Sequence, residues 1–123
     1  LVVVARMLLA GAVVFGLLST TAELAYVVGG PLAFCTAWAW PGLFNLAVVR
    51  ANPRRPAAAT SITQTGTYVG AVSGPLLFGL IADHAGFRAA WLVAVAASLL
   101  SATGMLAARR RLLAWRASAA APA

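Results

Sequence analysis

The most constraining feature of this sequence is a series of apolar blocks, each long enough to cross a lipid bilayer as an α-helix. About 30 Å of hydrocarbon requires roughly 20 apolar residues at a rise of 1.5 Å per residue. A segment in lipid must satisfy its own backbone hydrogen bonds, and the blocks show no alternation with period two, so helices are predicted rather than strands. Four blocks meet this condition, at about residues 1–20, 24–49, 57–82 and 87–108.

The composition of the chain agrees with exposure to lipid. Of its 123 residues, 63% are hydrophobic and only 9% are charged, whereas soluble domains carry about 25% charged residues. So few charges argue against a soluble globule. The sequence contains no metal-ligand spacing, phosphate-binding glycine loop or catalytic triad. We therefore expect no catalytic residue, metal site or cofactor, and predict an all-α integral membrane protein that is not an enzyme.

The distribution of arginine predicts the orientation of the four helices. Nine residues are basic and two are acidic, for a net charge of +7, and basic residues are enriched on the cytoplasmic side of membrane proteins. Six arginines fall on one side of a four-span bundle: Arg50, Arg54, Arg55, Arg109, Arg110 and Arg111. Because they cluster between apolar blocks, they favour membrane topology over nucleic-acid binding. The sequence thus predicts a multi-pass protein of the plasma membrane with a cytoplasmic C-terminus.

This topology divides the chain into two parts. Residues 1–111 form the predicted four-helix membrane region, and residues 112–123 are rich in Ala, with one Ser and one Pro. Such a composition favours a disordered cytoplasmic tail.

The third block carries two different faces. Small residues at every fourth position allow two helices in lipid to approach closely, so one face is predicted to pack against another helix: Gly66, Gly70 and Gly74, with Pro75 and Gly79 following. Pro75 is also expected to kink this helix or to break one of its turns. On nearly the opposite face lie polar residues: Ser61, Gln64, Thr65 and Tyr68. Two interpretations remain for this polar face, hydrogen bonding between helices or a substrate pathway.

The second block offers another candidate for solute binding. Phe34, Trp38 and Asn45 lie at helical spacing on one face, where two aromatic rings and an amide can stack on and orient a small organic solute. The alternative is that the aromatic residues serve packing or anchoring at the membrane interface. The segments Gly29-Gly30-Pro31 and Trp40-Pro41-Gly42 are expected to bend or loosen this helix.

The order of motifs between residues 50 and 91 resembles the major facilitator superfamily of secondary transporters. The shared features are the Arg/Pro-rich link RANPRRP, the small polar stretch AATSITQTG, and the series Gly70-x-x-x-Gly74-Pro75, Gly79-x-Ile81-Ala82-Asp83 and Gly86-Phe87-Arg88 with Trp91. The resemblance implies a twelve-helix protein in two halves that moves a small solute by alternating access. Proton or ion coupling is common in that family, but no predicted span of this chain contains a carboxylate.

The resemblance implies that the chain supplies helices nine to twelve of such a transporter. Helices three to six are the other possible placement. Because Leu1 already lies inside an apolar block, we expect a piece of a longer protein whose partners are the lipid bilayer, the solute and the missing transporter half.

Two other functions remain open. The first is a small four-helix multidrug exporter that acts as a dimer. Such an exporter requires a carboxylate within its first helix. The first helix of this chain instead contains Arg6, and Glu23 falls only at the end of that helix. The second is a non-transporting membrane subunit that binds a partner through the glycine face.

Overall fold

The structure, a computed structural model, describes residues 1–37 and 39–120. Over these residues the chain is helical and contains no β-strand, which confirms the predicted all-α fold. The helices are α1 (Val2–Leu18), α2 (Glu23–Ala37), α3 (Trp40–Ala51) and α4 (Pro56–Ala120).

Helix α4 folds back on itself at Gly86. The backbone of Gly86 has φ 83° and ψ 162°, a combination that is essentially restricted to glycine. The ring centroids of Phe78 and Trp91 lie 4.8 Å apart, whereas a straight helix would separate these positions by roughly 20 Å. Residues 56–85, the first limb of α4, and residues 87–120, the second limb, therefore lie side by side near the bend.

Helix α1 packs against both α2 and α4, and α3 packs mainly against α4. The buried apolar side chains are mostly small: Val4, Ala5, Ala12, Leu18, Ala25, Ala90 and Ala102. Large apolar side chains lie instead on the outside, such as Ile62, Val13 and Leu100, which are 76%, 74% and 73% exposed. So much uncovered apolar surface is typical of a chain that meets lipid or further helices rather than water.

Two helical stretches are long and apolar enough to cross a membrane, Glu23–Ala51 and Pro56–Trp115, and Val2–Leu18 is a shorter apolar helix. The second stretch has 60 residues and would be roughly 90 Å long if straight, about three times the hydrocarbon thickness. Because α4 bends at Gly86, each limb is at least about 45 Å long, enough for one crossing of the hydrocarbon and both headgroup regions. This geometry is compatible with two of the four predicted spans.

The predicted second helix is interrupted. It ends as α2 at Ala37 and resumes as α3 at Trp40, so Trp40-Pro41-Gly42 is itself helical and forms the first turn of α3. Pro41 lies in the first turn of α3, where its missing N–H leaves no helical hydrogen bond unmade. By contrast, α2 continues through Pro31.

Two further expectations are corrected by α4. Its backbone angles remain helical at Pro75, so the expected broken turn does not occur there. The helix also continues to Ala120, so the expectation of a disordered tail is wrong for residues 112–120. Leucine, alanine and arginine in this stretch have high helix propensity, and it contains neither glycine nor proline. Residues 121–123 lie outside the described part.

Candidate functional site

The polar face of the first limb is the main candidate site. Ser61, Thr65 and Tyr68 are exposed and Gln64 is half-buried, with 66% of Tyr68 uncovered. All four lie on one continuous helical segment, as the spacing predicts. The structure therefore places this row along an apolar helix with its side chains accessible from outside the chain.

The hydroxyl groups on this face bond to their own helix. Ser61 Oγ donates to the Ala57 carbonyl oxygen at 2.8 Å, and Thr65 Oγ1 donates to the Ser61 carbonyl oxygen at 2.9 Å. Within the described residues, the Gln64 amide and the Tyr68 hydroxyl form no hydrogen bond. The described part of the chain thus contains no bond from this row to another helix. Gln64 and Tyr68 keep their hydrogen-bonding groups available for a ligand.

The second candidate face is divided between two helices. Phe34 lies on α2 and is 67% exposed, Asn45 lies half-buried on α3, and Trp38 is outside the described residues. Because one residue between these two helices lies outside the described part, the shared face of Phe34, Trp38 and Asn45 stays a prediction. Phe34 lines a cavity of about 250 Å³, to which the polar row of the first limb does not contribute.

The glycine face of the first limb makes no close contact with the rest of the described chain, although Gly74 lines a groove shared with the second limb. A Cβ atom built at Gly66, Gly70, Gly74 or Gly79 would meet no heavy atom within 4 Å. Close approach occurs elsewhere, at Gly29, where a Cβ would lie 2.9 Å from Cδ2 of Leu18. Packing through the first-limb glycines therefore stays a prediction.

The structure also brings three aromatic side chains together around Trp91, and we call these four residues the aromatic cluster: Phe15, Tyr26, Phe78 and Trp91. The Trp91 ring meets Phe78 edge-on at 4.8 Å, stacks on Phe15 at 5.8 Å and lies 6.4 Å from Tyr26. Its Nε1–H also donates to the Tyr26 hydroxyl oxygen at 3.1 Å. These contacts join α1, α2 and both limbs of α4.

The positions of these four residues beside two helix connections indicate the cluster, although the faces of single helices do not. Phe15 and Tyr26 flank the first connection, and Phe78 and Trp91 flank Gly86. Consecutive helices reverse direction at these connections, so all four side chains come to a similar level. Aromatic residues near the ends of membrane helices are typical of the interface with water.

An apolar groove of about 510 Å³ lies beside the aromatic cluster, between the two limbs of α4. Its lining includes Pro75, Phe78 and Trp91, with Ser98 as a hydroxyl-bearing residue. Such a lining can hold an apolar group but offers no acid, base or nucleophile for catalysis. No group of His, Cys, Asp or Glu side chains within the described residues is arranged to hold a metal ion.

The six arginines of the predicted topology meet at one end of the bundle. Arg50 and Arg109 line one cavity of about 590 Å³. Arg54 and Arg55 line a second, of about 660 Å³, together with Trp115. Arg110 and Arg111 follow Arg109 on the second limb and line a third cavity. The connection after α3 and the end of α4 therefore form one basic surface.

The comparisons with known proteins leave the function to be inferred from this geometry. No family model, curated protein or solved structure matches the chain.

Proposed function

We propose that this chain forms part of a secondary active transporter of the major facilitator type, which moves a small solute across the plasma membrane by alternating access. The observation that carries the proposal is the polar row of the first limb. Gln64 and Tyr68 offer hydrogen-bonding groups on a long apolar helix and have no partner in the described chain. Polar groups on a membrane helix avoid lipid and face a water-filled cavity or a bundle interior.

The membrane placement is supported by the distribution of apolar side chains. The interior is built largely of alanine, whereas large residues such as Leu76 and Leu80 are more than half exposed. The proposed bundle has four spans. Its basic end lies in the cytoplasm together with the C-terminus, in agreement with the enrichment of basic residues on that side.

Further helices are needed to complete the proposed pathway. The open glycine face at Gly66, Gly70 and Gly74 provides a surface on which another helix of the transporter can pack closely. The missing half would supply the opposite wall of the solute cavity and any carboxylate for proton or ion coupling. In this arrangement the polar row forms one wall of the pathway.

Thiol labelling of the complete protein tests the pathway. Cys35 is exposed, so it is first replaced with alanine. Single cysteines are then placed at Gln64 and Tyr68. We expect them to react with a membrane-impermeant maleimide about ten-fold faster than a cysteine in lipid, because the reactive thiolate forms readily only where water is present.

The matched control is Ile62→Cys. Ile62 is two positions from Gln64 and thus at nearly the same depth, but it points to a different side of the helix. Leu77→Cys is a second apolar control on the same limb. If Gln64→Cys and Tyr68→Cys are as inert as both controls, the polar row does not line an aqueous pathway and the proposal fails.

A further inference from the structure

The cavity at Arg50 and Arg109 combines two different chemical surfaces. Apolar side chains from the start of α1, from α3 and from the second limb of α4 line it, among them Val3, Phe44 and Leu113. The same cavity is lined by two exposed arginines that lie far apart in the sequence. It therefore presents fixed positive charge beside an apolar wall.

These arginines have no counter-charge in the described chain. None of them forms an ion pair with a carboxylate there. The chain has two acidic residues, Glu23 and Asp83. Glu23 begins α2 beyond the far end of α1, and Asp83 lies near the bend at Gly86. Both are thus remote from the cavity, and its charge is available to an external anion.

We propose that this cavity binds an anionic phospholipid, with the headgroup phosphate on Arg50 and Arg109 and an acyl chain along the apolar wall. The inference rests on the proposed membrane placement. Guanidinium groups bind phosphate oxygens through paired N–H donors, and basic pockets between membrane helices on the cytoplasmic side are suited to anionic headgroups. A free phosphate ion would use the arginines but leave the apolar wall uncovered.

The neighbouring cavity extends the same surface. Arg54 and Arg55 line it together with Trp115, which is 65% exposed. Tryptophan is enriched at the level of lipid headgroups. The charge and the aromatic residue thus agree in placing this end of the bundle at the anionic face of a bilayer.

Lipid binding to the purified intact protein tests the proposal. Native mass spectrometry measures the retention of phosphatidylglycerol and of phosphatidylcholine with the same acyl chains. We expect selective retention of phosphatidylglycerol. Arg109→Gln should lower its affinity about five-fold, and Arg50→Gln combined with Arg109→Gln should lower it further, because both guanidinium groups are proposed to donate to the same headgroup phosphate.

The matched control is Arg110→Gln, which removes the same charge from the next residue of the same helix. Arg110 lines a different cavity, so its replacement should change the affinity less than two-fold. Arg109→Lys, which keeps the charge but removes the paired donors, should give an intermediate loss. Millimolar inorganic phosphate should not displace the lipid.

Three results would overturn this inference. The first is equal retention of the two lipids, and the second is an equal loss in Arg109→Gln and Arg110→Gln, which would indicate diffuse attraction without a site. The third is displacement of the lipid by inorganic phosphate, which would indicate a simple anion site. If any of these occurs while Gln64→Cys and Tyr68→Cys remain reactive, the lipid site is rejected and the proposed pathway is retained.

Discussion

Replacing Gly86 with alanine should lower the free energy of unfolding by about 1–3 kcal/mol. The reason is the backbone, because Gly86 has φ 83° and ψ 162°, and no heavy atom lies within 4 Å of a Cβ built there. An alanine would therefore meet no clash but would strain the bend or straighten α4. Straightening would separate Phe78 from Trp91, so the unfolding measurement should be accompanied by a change in tryptophan fluorescence.

The control for this prediction is Gly104→Ala. Gly104 is helical, and a Cβ there also meets nothing within 4 Å, so alanine should be neutral or should stabilise by about 0.5–1 kcal/mol. Unfolding in mixed micelles, followed by circular dichroism, measures both variants. Equal stability of Gly86→Ala and Gly104→Ala would show that the bend does not require glycine.

Trp91→Ala should destabilise the protein by about 2–4 kcal/mol, somewhat less than the loss of a fully buried tryptophan because Trp91 is half-buried. The substitution removes three ring contacts and the hydrogen bond to Tyr26. Since these contacts join α1, α2 and both limbs of α4, the loss should lower the stability of the whole bundle. The same unfolding measurement in mixed micelles quantifies the effect.

Two variants separate the contributions at Trp91. Tyr26→Phe keeps the ring but removes the hydrogen bond and should cost about 1 kcal/mol. Trp115→Ala removes an exposed tryptophan from the far part of α4 and should change stability by less than about 0.5 kcal/mol. If Trp91→Ala is no more harmful than Trp115→Ala, the aromatic cluster does not hold the helices together.

The helical fold can be predicted from the sequence because the apolar blocks are long and the connections between them are short. The bend at Gly86 is likewise predictable, since the segment Asp83–Gly86 is the polar interruption between two such blocks. The sequence predicts a bent or loosened helix at Trp40-Pro41-Gly42, and the structure has one helix ending at Ala37 and the next beginning at Trp40.

The aromatic cluster and the basic cavities could not be derived from single helix faces. They arise where different helices reach the same level, as Phe15 and Trp91 do, so their prediction requires the packing as well as the pattern. The helix that would pack on the glycine face could not be predicted for another reason, because no described heavy atom lies within 4 Å of a Cβ built at Gly66 or Gly70. In residues 112–120, where the Ala-rich composition predicts disorder, the local helix propensity favours the helix that the structure shows.

The orientation of the bundle in a bilayer is tested most directly by reporter fusions in cells. Alkaline phosphatase, active only outside the cytoplasm, and a fluorescent protein, fluorescent only inside it, are fused in turn after Pro53, after His84 and after Ala123. The proposed four-span topology predicts fluorescence without phosphatase activity at Pro53 and Ala123, and phosphatase activity without fluorescence at His84. Phosphatase activity at Pro53, or fluorescence at His84, would contradict it.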